Sequence, residues 1–256
     1  MKTSIADSII RQTAEDYNTI ADHFSITRAN PWPEFRFATP YLRAGAHVLD
    51  VGCGNGRLIS FLEQSGVSGM SYTGVDVSEK LLAHAKNLHK DSTLAPQFQV
   101  ASHTGLPFAD RTFDLVFSIA SLYHVPSDTY RQQAVQECAR VLKPGGVLVI
   151  ITWNFWQPSF WPLLLTNALA KAKGRSSLDW RDFYRPWKNP QGKTIANRYC
   201  HAFTKRELKH LATCARFHVE KCESVFREKK IPLWKARNLI LIAKTSRKEK
   251  SVNCKE

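Results

Sequence analysis

The chain has 256 residues, with 36 Lys and Arg against 22 Asp and Glu, a formal net charge of +14 and 43% hydrophobic residues. That length buries a full core, and no apolar run nears the ~20 residues of a membrane span. Six cysteines are scattered without a C-x-x-C pair, which excludes a disulfide framework and a zinc knuckle. The amino terminus lacks a signal-peptide apolar region, so a soluble, cytoplasmic, metal-free protein is expected.

Residues 4–24 carry helical spacing through Ile5, Ile9, Tyr17, Ile20 and Phe24, and Pro31 and Pro33 break it. A short helix is expected over 34–44. This amino-terminal region, 1–44, either packs on a sheet edge or forms a lid, with Tyr17 and Arg28 over one end of a ligand. Val48, Leu49 and Val51 then form an apolar run suited to a buried parallel strand. Gly52, Gly54 and Gly56 follow at alternate positions, and Leu58, Ile59, Phe61 and Leu62 resume helical spacing. Strand, glycine turn and helix bring backbone close to a ligand, because glycine has no Cβ to hold it off.

Strands are expected at 47–51, 72–76, 97–101, 113–118 and 146–152, and helices at 57–65, 79–90 and 128–140. That alternation implies a parallel sheet with helices on both faces. Ligands in such sheets bind outside the carboxyl ends of the strands, where Gly52, Asp76, Ser102 and the stretch from Ser118 to His124 fall. Asp76 ends the second strand near the offset at which a carboxylate meets ribose hydroxyls. The glycine spacing is G-x-G-x-G, which favours a nucleoside ligand without a phosphate. His124, just past a strand end, faces the pocket as a candidate substrate contact.

Residues 155–203 read as a long aromatic insertion after the fifth strand, with a helix near 160–172 and otherwise poorly patterned chain. A helix over 204–216 and a closing hairpin of 217–226 with 237–244 complete the fold, and 245–256 read as a basic, disordered tail. The core spans 45–154 and the closing elements 204–244. After residue 170 there are 23 Lys and Arg and 8 Asp and Glu, against 13 and 14 before it. Trp180, Phe183, Tyr184, Trp187, Tyr199 and Phe203 are interleaved with these bases. Such a surface attracts phosphates and offers stacking faces to unpaired bases.

Val-Leu-Asp-Val-Gly-Cys-Gly-Asn-Gly at 48–56 resembles the signature of class I S-adenosylmethionine (SAM)-dependent methyltransferases. The likeness continues through Gly74-Val75-Asp76-Val77-Ser78, Leu106-Pro107-Phe108, Phe113-Asp114-Leu115-Val116 and Leu142-Lys143-Pro144-Gly145-Gly146. It implies a Rossmann-like, doubly wound α/β sheet of about seven strands with SAM as cofactor. Gly52, Cys53, Gly54, Gly56, Asp76, Val77 and Ser118 would then bind the cofactor, with Ser102 and His103 facing adenine. An Asp is usual in the family where Ser102 stands.

A narrower resemblance links Tyr17–Ser25, Thr27-Arg28, Pro31-Trp32-Pro33, Asp182–Lys188 and Arg198–Phe203 to the tRNA wobble-uridine carboxymethyl methyltransferases. It implies esterification of 5-carboxymethyluridine, a tRNA partner and a small activating protein. A carboxylate is already ionised at neutral pH and needs a cation rather than a base. Arg198 is the first candidate, His124 a second donor and Arg28 a reserve. Tyr199 and His201 are placed on the uracil, and Trp187 among the substrate contacts. The chain departs from that family at Cys200, where a Tyr is usual, and lacks a Trp-Trp pair before the last strand. A small-molecule methyltransferase for a quinone or organic acid is the alternative.

Overall fold

The computed structural model describes residues 1–28 and 30–246. A central sheet holds β1 (His47–Val51), β2 (Ser71–Asp76), β3 (Gln97–Val100), β4 (Phe113–Ile119), β5 (Leu142–Trp153), β8 (Phe217–Phe226), β9 (Lys229–Lys230) and β10 (Asn238–Thr245). Their order is β3-β2-β1-β4-β5-β10-β8-β9. The first five run parallel, and β10 is antiparallel to both β5 and β8. The strand order reverses between β1 and β4, which opens the ligand crevice at their carboxyl ends.

Alternation along the strands divides the apolar residues between two cores. Leu49, Val51, Val116, Leu148 and Ile150 face one, which also receives α4 (Asp128–Val141) and α6 (Lys205–Cys214). Val48, Leu115, Phe117, Val149 and Ile151 face the other, with α2 (Arg57–Gln64) and the 3-10 helix Pro33–Tyr41. Each such side chain, fully buried, contributes about 1.5–3 kcal/mol. The doubly wound fold expected from the sequence is the one observed. Among the described residues no helix is long and apolar enough to cross a membrane.

Side-chain caps start three helices where the sequence places Ser or Thr. Ser78 accepts from Leu81 N–H at the head of α3 (Glu79–Leu88), Ser127 from Tyr130 at α4, and Thr204 from Glu207 at α6. Strand β5 begins at Leu142 rather than 146, because a bulge at Lys143–Gly146 keeps Leu142 paired with Phe113. Thr245, expected in the tail, belongs to β10. From residue 247 onward the expected tail lies outside the described residues.

Two elements stand outside this frame and roof the crevice. The helix α1 (Thr3–Thr27) packs Tyr17, Ile20 and Ala21 against Leu81 of α3 on one side and Trp187 and Ala196 on the other. Trp187 and Ala196 belong to a separate antiparallel hairpin, β6 (Asp182–Lys188) with β7 (Thr194–His201). This hairpin follows α5 (Trp161–Ala172) and replaces the poorly patterned chain expected there. Its pairing sets Arg185 opposite Arg198, and Tyr184 opposite Tyr199.

Candidate active site

The crevice is built first by the turn after β1. Gly52 and Gly54 both have positive φ, 76° and 57°. A Cβ at Gly52 would lie 2.3 Å from Ser121 Cβ, so only glycine fits that approach. The N–H groups of Gly52 and Cys53 both donate to Val75 C=O, at 2.7 and 3.0 Å, which pins the turn to β2. Asp76, at the end of β2, accepts from Gly54 N–H at 2.8 Å through one carboxylate oxygen and from Ser78 N–H at 2.9 Å through the other. Burial raises its pKa, and those backbone donors oppose the rise. Each oxygen keeps a lone pair for a further donor.

Gly52, Gly54 and Asp76 line one open-mouthed cleft, which also takes in Cys53, Val77, Ser102 and His103. His103 is held neutral by burial, its pKa drawn down to about 4, and its Nε2 has no partner. A glycine cradle, a carboxylate with free lone pairs and an unpartnered imidazole nitrogen together fit the ribose and adenine of a nucleoside cofactor.

Four guanidiniums also line the cleft: Arg28, Arg57, Arg185 and Arg198. Each lies over an indole. The separations from guanidinium carbon to ring centre are 5.4 Å for Arg28 and 4.6 Å for Arg198 on Trp187, 5.2 Å for Arg57 on Trp32 and 4.5 Å for Arg185 on Trp153. A cation over an aromatic face is attracted by the ring quadrupole, which helps to hold each guanidinium in place. Burial lowers the pKa of Arg57 to about 10, and the neighbouring Arg28 adds to this. Burial and then Arg198 lower those of Arg28 and Arg185. Arg198 is 5% exposed and its Nε has no partner. A cleft with four cations and Asp50 and Asp76 as its acids is built for an anion.

The sequence-derived candidates divide. Arg28, His124 and Arg198 reach the cleft, but His124 is not the donor expected. Its Nδ1–H donates to Tyr199 C=O at 2.5 Å, which leaves Nε2 to accept from Tyr17 O–H at 2.7 Å. Both nitrogens are therefore engaged. Burial and the Arg198 charge press its pKa to about 3, so it stays neutral. Tyr17 in turn accepts from an Arg198 amino group at 3.4 Å. His124 thus braces Tyr17 and Arg198.

Tyr199 and His201 are corrected more fully. Side chains alternate along β7, so residues next to Arg198 or three away cannot share its face. Tyr199 is buried against Ile9 and Leu178. His201 hydrogen-bonds Asp182 at 2.6 Å and Glu207 at 2.9 Å, outside the cleft. Gly56 faces His89, whose Cδ2 would lie 2.8 Å from an added Cβ. Ser118 sits behind the cleft, where its hydroxyl pairs with Ser121 at 2.9 Å. Trp187 supports the two guanidiniums and donates from Nε1 to His23.

Arg57, Arg185 and Trp153 escaped the sequence reading. For Arg185 the signal is its register opposite Arg198, which becomes legible only once 182–188 is recognised as a strand.

Residues 49–150 match the family model described as a methyltransferase domain. A protein of Encephalitozoon cuniculi whose name assigns it to the methyltransferases is 32% identical over 204 residues, covering 79% of this chain and 85% of that one. The chain belongs to the methyltransferase family. This methyltransferase is also 33% identical over 137 residues to the tRNA (carboxymethyluridine(34)-5-O)-methyltransferase of Arabidopsis thaliana, covering 54% of the chain but 31% of that relative. It thus spans about a third of the length of that relative. The enzyme of the same name from Schizosaccharomyces pombe is 29% identical over 217 residues, covering 78% and 85%.

Among solved structures, a SAM-dependent methyltransferase of Methanosarcina mazei superposes with a TM-score of 0.65 at 24% identity, covering 82% of this chain and 97% of that one. A chain from the complex of the Haloferax volcanii Trm112 methyltransferase activator with a methyltransferase gives 0.63 at 18% identity, covering 93% and 100%. The fold is that of the class I methyltransferases, whose cofactor is SAM.

Proposed function

We propose that this chain methylates tRNA with SAM, esterifying the carboxylate of 5-carboxymethyluridine at the wobble position. The observation that carries the reading is Arg198, a buried guanidinium with an unpartnered Nε, set among three further cations that line the same cleft. The names of the Arabidopsis and fission-yeast relatives support the substrate.

SAM supplies an electrophilic methyl group. Asp76 accepts the ribose hydroxyls, Gly52, Cys53, Gly54 and Val77 line the backbone cradle, and Ser102 and His103 meet adenine. Arg198 binds the substrate carboxylate through two parallel N–H donors, with Arg28 beside it. Since the carboxylate is ionised above about pH 4, no proton has to be removed. The residues align and exclude water: Tyr17 and His124 fix the guanidinium, and α1 closes the roof. The basic carboxyl-terminal third meets the RNA backbone. A Trm112-type protein is the partner, a reading supported by the complex in which the Haloferax methyltransferase fold was solved.

A small organic acid would meet the same guanidinium but carry no RNA backbone. The test is transfer of label from methyl-labelled SAM to tRNA, followed by mild alkali. An ester releases the label; label that resists alkali, or that reaches only small acids, contradicts the reading.

A further inference from the structure

We infer that Arg185 is a second anion-reading arm which, with Arg198, makes the cleft prefer the carboxylate of the substrate to the ester of the product. The inference rests on the carboxylate reading above and deepens it.

Arg185 and Arg198 are direct cross-strand partners in β6 and β7, and both line the cleft. Like charges at such a position repel; among the described residues no carboxylate forms an ion pair with either, and Asp16 interacts with Arg198 only at longer range. Asp182, the acid on the same strand, is turned to the other face, where it is bonded to His201. The Arg185 guanidinium lies over Trp153 at 4.5 Å and over Phe160 at 5.4 Å, two rings that hold it in the cleft lining. Burial and Arg198 both depress its pKa, as expected of a cation still lacking its counter-ion. An arrangement that folding alone disfavours persists where a ligand completes it.

The reaction changes what that pair meets. A carboxylate oxygen forms the new C–O bond to the methyl carbon; the C–S bond breaks and its electron pair stays on sulfur. The sulfonium becomes a neutral thioether and the carboxylate a neutral ester, with no proton released. The pair therefore faces a full negative charge before transfer and none after it. One guanidinium suffices to orient a carboxylate, whereas two flanking it convert loss of that charge into weakened binding and release of product.

The test measures binding of the full chain to three tRNAs that differ only at the wobble uridine: 5-carboxymethyl, its methyl ester, and unmodified. Wild type is expected to hold the acid about tenfold or more tighter than the ester, the range of a hydrogen bond to a charged group. Arg185→Gln should cut that ratio several-fold by weakening the acid alone, with affinity for ester, unmodified tRNA and SAM unchanged. Arg185→Lys should keep part of the ratio. Equal weakening of all three tRNAs by Arg185→Gln, with SAM binding intact, would overturn the inference by making Arg185 a backbone contact. An unchanged ratio would overturn it while leaving the carboxylate reading standing. A wild type blind to acid against ester would overturn both.

Discussion

His124 shows how a residue in the expected place can have an unexpected task. Its position past β4 was legible in the sequence, but the carbonyl that fixes its tautomer comes from Tyr199, on a strand of no clear pattern. Its pKa falls from 6.5 to about 3 through burial, then the Arg198 charge. The folded state thus resists protonation, so its contribution is present above pH 6.5 and is lost as pH falls toward 3. Across that window wild type should lose about 1.4 kcal/mol per pH unit more than His124→Gln, measured by denaturant titration at each pH. The activity profile should show no ionisation near 6.5 from this residue. Arg198→Ala should lower kcat/KM for tRNA by roughly ten- to hundredfold, the range of a lost charged hydrogen bond. SAM affinity should be unchanged, and its loss would remove the carboxylate assignment. Gly52→Ala meets Ser121 Cβ at 2.3 Å as well as a left-handed backbone, whereas Gly54→Ala meets Phe24 only at 3.4 Å. The second should cost about 1–2 kcal/mol and the first clearly more, by thermal unfolding.

The β6–β7 hairpin is the element that decides the site and the one least readable in advance. Its strands hold Pro186, Asn197 and three arginines or lysines beside four aromatic residues, so no simple apolar alternation marks them. Treated as irregular chain, Arg198, Tyr199 and His201 could all face the substrate; as a strand, they cannot. The far face instead forms a buried ionic lock. His201 bridges Asp182 and Glu207, and Arg181 reaches Glu207 at 3.0 Å, which ties the hairpin to α6. Despite burial, the His201 hydrogen bond and charge, with Arg131 beyond, keep the pKa values of Asp182 and Glu207 below their ordinary range. Their contribution is therefore present above about pH 4 and is lost as pH falls below it. His201→Ala leaves two buried carboxylates short of a partner and should destabilise the fold by about 3–5 kcal/mol. A loss below 1 kcal/mol by urea unfolding would contradict the lock.

At the scale of the molecule, the parallel sheet and the glycine turn were legible, because short apolar runs and Gly52–Gly56 report local geometry directly. A lid from residues 1–44 was one of two readings, but its contact with the hairpin was not legible, because they meet through residues some 180 positions apart, such as Tyr17 and Arg198. The +14 charge, placed almost wholly in the last third, gives a prediction of its own. Affinity for tRNA should fall by roughly 10³ or more between 50 and 200 mM salt if several phosphates are neutralised, and a flat response would remove RNA from the proposal. The most direct measurement is mass spectrometry of nucleosides from tRNA bearing 5-carboxymethyluridine, incubated with SAM and this protein, with and without a Trm112-type activator. Gain of one methyl group as an ester on that nucleoside is the expected result. An unmodified nucleoside under both conditions, from protein shown to bind SAM, would contradict it.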